Sequence, residues 1–142
     1  MKTFVVDASV AAKWFLPEPD SDRAQKFRAA GHHLVAPDLL LAELGSVMWK
    51  RTRRGELDSA QFLAAMKLIE RIEVALVPGR DLLPHAATLA VRSERSFYDC
   101  LYLAAARLLG CILVTADARF LNSLAGTEFA SLAVPLDELA RG

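Results

Sequence analysis

The sequence has few of the features that mark several common classes of protein. Its two cysteines, Cys100 and Cys111, show no Cys-x-x-Cys spacing, which excludes a disulfide framework and suits a reducing compartment. No apolar run approaches the roughly 18 residues that a membrane-spanning helix needs, and Asp7 interrupts the N-terminal segment before the apolar core of a signal peptide could form. We therefore expect a cytoplasmic protein with no membrane association.

Several catalytic motifs are also missing. The seven glycines form neither the G-x-G-x-x-G nor the G-x-x-x-x-G-K-[ST] pattern, so neither common nucleotide-binding loop is supported. There is no G-x-S-x-G motif, which leaves an α/β-hydrolase nucleophile unsupported. The three histidines, His32, His33 and His85, lack the spacing of a zinc site and are expected to be surface residues.

Charge of one sign is lacking too, because 17 basic residues balance 17 acidic ones. No field of the whole molecule attracts a polyanion, so such a ligand needs a local patch or a metal ion. The 142 residues, 54% hydrophobic and 24% charged, exclude intrinsic disorder and fit one domain spanning residues 1–142.

Short apolar segments alternate with helical patterns along the chain. The predicted strands are 4–6, 34–36, 74–77, 111–115 and 130–134. The predicted helices are 10–16, 20–30, 38–54, 58–71, 81–94, 96–109 and 117–124. This alternation predicts an α/β fold with a mostly parallel sheet, whose ligands bind beyond the carboxyl ends of the strands.

Four acidic residues lie in apolar surroundings. Asp7 and Asp117 each follow a predicted strand, Glu43 shares a helix stripe with leucines, and Asp99 lies on an almost wholly apolar helix. Each has an ordinary explanation taken alone, as a helix cap or a partner of the helix dipole, except Glu43, which needs a partner. Two carboxylates about 5 Å apart repel by roughly 3 kcal/mol at an effective dielectric constant of about 20. A cluster of them therefore favours a hard cation such as Mg²⁺ or Mn²⁺.

At these residues the chain resembles the PIN-domain ribonucleases, specifically the VapC-type toxins of toxin–antitoxin pairs. The matching segments occur in the family's order and cover residues 4 to about 120. They are Val6-Asp7-Ala8-Ser9, Ala42-Glu43, Tyr98-Asp99-Cys100-Leu101-Tyr102-Leu103-Ala104 and Val114-Thr115-Ala116-Asp117.

The resemblance implies a single PIN domain over residues 1–142, a three-layer α/β/α fold with a parallel five-stranded sheet in the order 3-2-1-4-5. It also implies Mg²⁺- or Mn²⁺-dependent endonucleolytic cleavage of RNA by a metal-activated water. The implied catalytic residues are Asp7, Glu43, Asp99 and Asp117. Asp7, Asp99 and Asp117 would be metal ligands, Glu43 a ligand or base, and Ser9 and Thr115 supporting hydroxyls. Many relatives carry an acid or Asn just after the last Asp, where this chain has Ala118 and Arg119.

The resemblance further implies a small antitoxin protein whose tail enters the acidic groove, a homodimer, and a higher hetero-oligomer with the antitoxin. A basic run at 50–54 follows Glu43 on the same helix. Lys50 and Arg54 lie within about 20° of the direction of Glu43 at 100° per residue, so we expect them to bind RNA phosphates. Their simpler explanation is that they complement the helix C-terminus.

Two other functions fit parts of the pattern. In a metal-dependent phosphatase or receiver domain Asp7 would be the nucleophile, but a phosphatase of the haloacid type needs an acid where Ser9 stands. A receiver needs its phosphorylated Asp where Pro78 and Gly79 stand. A PIN-fold protein that only binds RNA is the third possibility, and intact acids argue against it.

Overall fold

A computed structural model describes residues 1–139 and contains one five-stranded sheet. All neighbouring strands are parallel, and their order is 3-2-1-4-5. The predicted sheet is therefore confirmed. The strands are β1 (Thr3–Val6), β2 (His33–Pro37), β3 (Ala75–Val77), β4 (Ile112–Thr115) and β5 (Ala133–Pro135).

Helices cover both faces of the sheet, as the three-layer prediction requires. Helix α6 packs against the central strands β1, β2 and β4. The helices are α1 (Ala8–Ala11), α2 (Ser21–Ala29), α3 (Leu39–Arg53), α4 (Ser59–Glu70), α5 (Gly79–Ser93), α6 (Phe97–Leu109), α7 (Ala118–Leu124) and α8 (Leu136–Leu139).

Two predicted elements differ from the structure. The helix expected over 10–16 is a single α-turn, α1, continued by a 3-10 turn over Ala12–Trp14. The strand expected from residue 130 begins only at Ala133, because residues 130–132 form a 3-10 turn in which the Leu132 amide donates to the Phe129 carbonyl. Pro135 ends that strand, a position open to proline because β5 is an edge strand.

The core explains why the central elements were predictable. Val5, Val6, Leu113 and Val114 are fully buried in the two central strands, since such strands carry apolar residues on both faces. Seven consecutive residues of α6, from position 100 to 106, are buried as well. Asp99 therefore lies at the rim of the most buried helix in the molecule.

The register aligns the ends of the two central strands. Val6 of β1 lies opposite Val114 of β4, so Asp7 and Thr115 emerge side by side at the carboxyl edge. Among residues 1–139, no helix combines the length and the apolar character needed to span a bilayer.

Candidate active site

Asp7 is the most highly connected acid at the carboxyl edge of the sheet. Its Oδ1 accepts a hydrogen bond from the Ser9 hydroxyl at 2.6 Å and from the Val10 amide at 3.2 Å. Its Oδ2 accepts from the Thr115 hydroxyl at 2.5 Å. Asp7 thus caps α1, as its simpler explanation predicted, and also ties β1 to β4.

Burial dominates the electrostatics of Asp7 and raises its pKa from 3.8 to about 6. The hydrogen bonds from Ser9, Thr115 and the Val10 amide oppose this shift, and repulsion from Glu43 adds to it. Because the pKa of this carboxyl group stays raised despite three hydrogen-bond donors, the protein alone does not fully stabilise its negative charge. A cation placed beside it would remove that deficit.

The hydroxyls of Ser9 and Thr115 form one network with Asp7. Their oxygens lie 3.2 Å apart, the Ala116 amide donates to Ser9 Oγ at 2.9 Å, and the Asp117 amide donates to Thr115 Oγ1 at 3.1 Å. Thr115 is fully buried. Both residues thus have the contacts that supporting hydroxyls would need.

Asp117 caps α7, because its Oδ1 accepts from the Phe120 amide at 3.1 Å. The residue is exposed to solvent. It is joined to the Asp7 network through its own amide and Thr115 rather than through its carboxylate.

Glu43 lies half-buried on α3 and accepts a hydrogen bond from the Tyr102 hydroxyl at 2.5 Å. Burial raises the pKa of Glu43, the bond from Tyr102 lowers it, and repulsion from Asp99 raises it further. Burial and the neighbouring Glu43 raise the pKa of Tyr102 far above its usual range, with a smaller contribution from Asp7. Tyr102 is therefore a permanent hydrogen-bond donor to Glu43, the partner that the sequence required without identifying.

Asp99 occupies the first turn of α6, where its amide donates to the Ser96 cap. Its Oδ2 lies 3.2 Å from the NH2 group of Arg95. Because Asp99 repels Glu43, and Glu43 repels Asp7, the three carboxylates share one electrostatic environment.

The acids are near neighbours rather than a closed coordination shell. Across residues 1–139, no three carboxylate, histidine or cysteine side chains lie close enough together to hold a metal ion jointly. Each of the four carboxylates is instead engaged by a donor from the protein, and the donors are Ser9, Thr115, Arg95, Tyr102 and the backbone amides of Val10 and Phe120.

Sequence reasoning missed two residues of this site, Arg95 and Tyr102. Tyr102 lies on the same flank of α6 as Asp99, three residues further on, which is the signal that could have found it. Arg95 precedes Asp99 by four residues, a spacing common in ordinary ion pairs, so no pattern in the sequence singled it out.

The basic run lies apart from the acids, at the C-terminal end of α3. Lys50 and Arg54 are both exposed. At 1.5 Å per residue they lie roughly 10 and 16 Å beyond Glu43 along the helix axis. Arg51, between them, is engaged by Glu18 at 2.8 Å and by Glu56 at 3.3 Å.

Comparison with known proteins identifies similar chains. The model of the PIN domain family matches residues 4–123. Ribonuclease VapC3 of Pyrobaculum aerophilum is 32% identical over 123 residues, covering 80% of this chain and 88% of the relative. Ribonuclease VapC9 of Mycobacterium tuberculosis is 32% identical over 115 residues, covering 81% and 86%. A crystal structure from Pyrobaculum aerophilum superposes with a TM-score of 0.69 at 26% identity, covering 99% of this chain and 96% of that one.

Proposed function

The chain belongs to the PIN domain family, and from that premise we propose that it is a metal-dependent endoribonuclease of the VapC type, the toxin of a toxin–antitoxin pair that acts in the cytoplasm. The observation that carries the proposal is the placement of Asp7 at the carboxyl edge of the sheet, where Ser9 and Thr115 hold its two oxygens. Its carboxylate is desolvated, raised in pKa to about 6, and repelled by Glu43 at the edge of the sheet. Such a group is suited to binding a cation.

The chemistry of the donor set fits Mg²⁺ or Mn²⁺. The site offers carboxylate and hydroxyl oxygens, which these hard ions prefer. Mg²⁺ sites commonly use one or two protein carboxylates and keep several waters, so the lack of three converging acids in residues 1–139 is compatible with such an ion. In this proposal Asp7 and Asp99 contact the ion directly, and Asp117 contacts it through one of the waters that the ion keeps.

A cation held by these residues would supply a Lewis acid for the scissile phosphate and would lower the pKa of a water molecule. The protein contributes the geometry. Ser9 and Thr115 fix Asp7 from two sides, and Tyr102 fixes one oxygen of Glu43. The raised pKa of Glu43 suits a general base that takes the proton of the attacking water. The phosphodiester is hydrolysed directly, with no covalent intermediate on the protein.

RNA reaches this site along α3 in our proposal. Lys50 and Arg54 bind phosphates of the strand leading to the acids, which compensates for the zero net charge of the whole chain. A small antitoxin protein masks the acidic groove with its tail, and the toxin forms a homodimer that assembles with the antitoxin into a larger complex.

Cleavage of a structured RNA pool by the purified protein tests the function. We expect cuts with Mn²⁺ or Mg²⁺, none with chelator, and none with Asp99→Ala. A matched control is Asp58→Ala, which removes an exposed acid that caps α4 and lies outside the acidic group. RNA bound but uncut by the metal-loaded wild type would indicate a binding protein and would contradict the proposal.

A further inference from the structure

Arg95 contacts one of the proposed metal ligands. It precedes α6, and its NH2 group lies 3.2 Å from Oδ2 of Asp99. The guanidinium carbon lies 5.9 Å from the centre of the Phe120 ring, on α7. Arg95 therefore bridges the beginnings of α6, which carries Asp99, and of α7, which Asp117 caps.

A contribution to the stability of the fold does not explain why an arginine occupies this position. A cation beside the N-terminus of α6 opposes the helix dipole. Its Nε atom is buried and has no hydrogen-bond partner among residues 1–139, which is unfavourable. The ion pair itself is about one-third exposed on both sides, and pairs of this kind contribute little to stability.

The position of the guanidinium is nevertheless well defined. The backbone amide of Arg95 donates to Ser93 Oγ, the preceding Glu94 adopts a left-handed conformation with φ of 56°, and the guanidinium packs over Phe120. A donor held in this way restricts the rotation of the Asp99 carboxylate, because it binds one of the two carboxylate oxygens.

We propose that Arg95 is a positioning residue for the metal site: by holding Oδ2 of Asp99, it keeps the other carboxylate oxygen directed toward the cation. This inference rests on the proposed metal site but not on RNA being the substrate. The repulsion between Asp99 and Glu43 supports the inference, because it places the carboxylate that Arg95 holds within the electrostatic reach of the other acids. Donors behind ligating carboxylates commonly change metal affinity by about 10- to 100-fold.

The direction in which cation affinity changes on removal of Arg95 distinguishes a positioning role from a purely electrostatic one. Removing a positive charge close to a cation site should tighten cation binding if electrostatic repulsion is all that Arg95 contributes. Removing a positioning residue should weaken it. Arg92, three residues earlier, pairs with Glu128 at 3.8 Å with both side chains more than half exposed, so Arg92→Ala removes the same charge without touching Asp99.

The test is a titration with Mn²⁺ in the absence of RNA, following the electron paramagnetic resonance signal of the free ion. We expect Arg95→Ala to raise the Kd for Mn²⁺ about 10-fold, Arg95→Lys to restore most of the affinity, and Arg92→Ala to leave it unchanged. The thermal midpoint of metal-free Arg95→Ala should stay within about 4 °C of wild type, because a partly exposed ion pair contributes little to stability.

Unchanged or tighter binding by Arg95→Ala would overturn the inference while leaving the metal site intact, and so would equal weakening by Arg92→Ala. If Arg95→Ala does not fold, Arg95→Met takes its place, because methionine keeps an apolar side chain beside Phe120 and offers no donor to Asp99. Weaker Mn²⁺ binding by Arg95→Met than by Arg92→Ala supports positioning, and equal binding by the two variants overturns it. Absence of Mn²⁺ binding by the wild type would instead refute the proposed function together with this inference.

Discussion

Asp7→Asn should stabilise the metal-free protein at neutral pH. The wild-type carboxylate has its pKa raised from 3.8 to about 6, and at about 1.4 kcal/mol per pH unit this corresponds to about 3 kcal/mol of destabilisation once the group is ionised. Asn removes the charge and keeps one acceptor oxygen, and the Thr115 hydroxyl can accept as well as donate. The stabilisation should therefore approach about 3 kcal/mol at pH 7.5 and fall below about 1 kcal/mol near pH 4.

The assay is thermal or urea unfolding in chelator, repeated with Mn²⁺. A gain of about 3 kcal/mol raises Tm by about 6 to 12 °C in a chain of this size. Saturation at about 100 times the Kd should stabilise the wild type by about 2.7 kcal/mol, whereas Asp7→Asn should gain little. Asp58→Asn is the matched control, because Asn caps α4 as well as Asp does and should change neither value.

Loss of stability in metal-free Asp7→Asn at pH 7.5 would refute this reasoning. It would mean that Asp7 serves chiefly as the hydrogen-bond anchor of Ser9 and Thr115. An equal gain at pH 4 and pH 7.5 would also contradict it, because a neutral carboxyl has no charge for Asn to remove.

Three further predictions concern the pH dependence of Asp7, the hydrogen bond from Tyr102 to Glu43, and the basic run at 50–54. Between pH 4 and pH 7 in chelator, the contribution of Asp7 to the wild-type free energy of unfolding should fall as pH rises, because a raised carboxyl pKa means that the native state binds more protons there. Urea titrations of wild type and Asp7→Asn at several pH values would measure it. An equal dependence of the two free energies of unfolding on pH would contradict it. Tyr102→Phe should destabilise the protein by about 1–3 kcal/mol. It should also shift the acid limb of the pH–rate profile to higher pH, because the hydrogen bond from Tyr102 lowers the pKa of Glu43. An acid limb at the wild-type pH would exclude Glu43 as the base. Lys50→Ala combined with Arg54→Ala should weaken RNA binding without changing the single-turnover cleavage rate. It should also reduce the slope of the logarithm of the binding constant against the logarithm of salt concentration by about 2. Unchanged binding would mean that the two cations only complement the end of α3.

The central elements of the fold could be predicted because local signals agreed with the tertiary structure. Strands β1 and β4 are apolar segments followed by capping acids, and α6 is apolar around most of its circumference because seven of its residues are buried. The edge strand β5 was misplaced because its segment begins with a 3-10 turn that has the same apolar composition. Edge strands carry a weaker pattern, since fewer of their residues face the core.

The sequence singled out the four acids of the candidate site, which remain a prediction, but it did not indicate which side chains contact them. Capping does not exclude a place in the acidic group, because the Asp7 carboxylate caps α1 and also joins the network at the sheet edge. The bond from Tyr102 to Glu43 joins residues 59 positions apart, and helical periodicity indicates a face without indicating which residue of another helix it meets. Arg95 depends on a left-handed turn and on the Phe120 ring, neither of which leaves a pattern in the sequence.

The central claim, that these acids form a cation site, is tested most directly by anomalous diffraction from crystals soaked in Mn²⁺. The account predicts a manganese peak in contact with the carboxylates of Asp7 and Asp99 in the wild type, and no peak there in Asp99→Ala. A fully soaked wild-type crystal without a peak at these residues, or with manganese only elsewhere, would contradict it and leave the four acids as helix caps and hydrogen-bond partners.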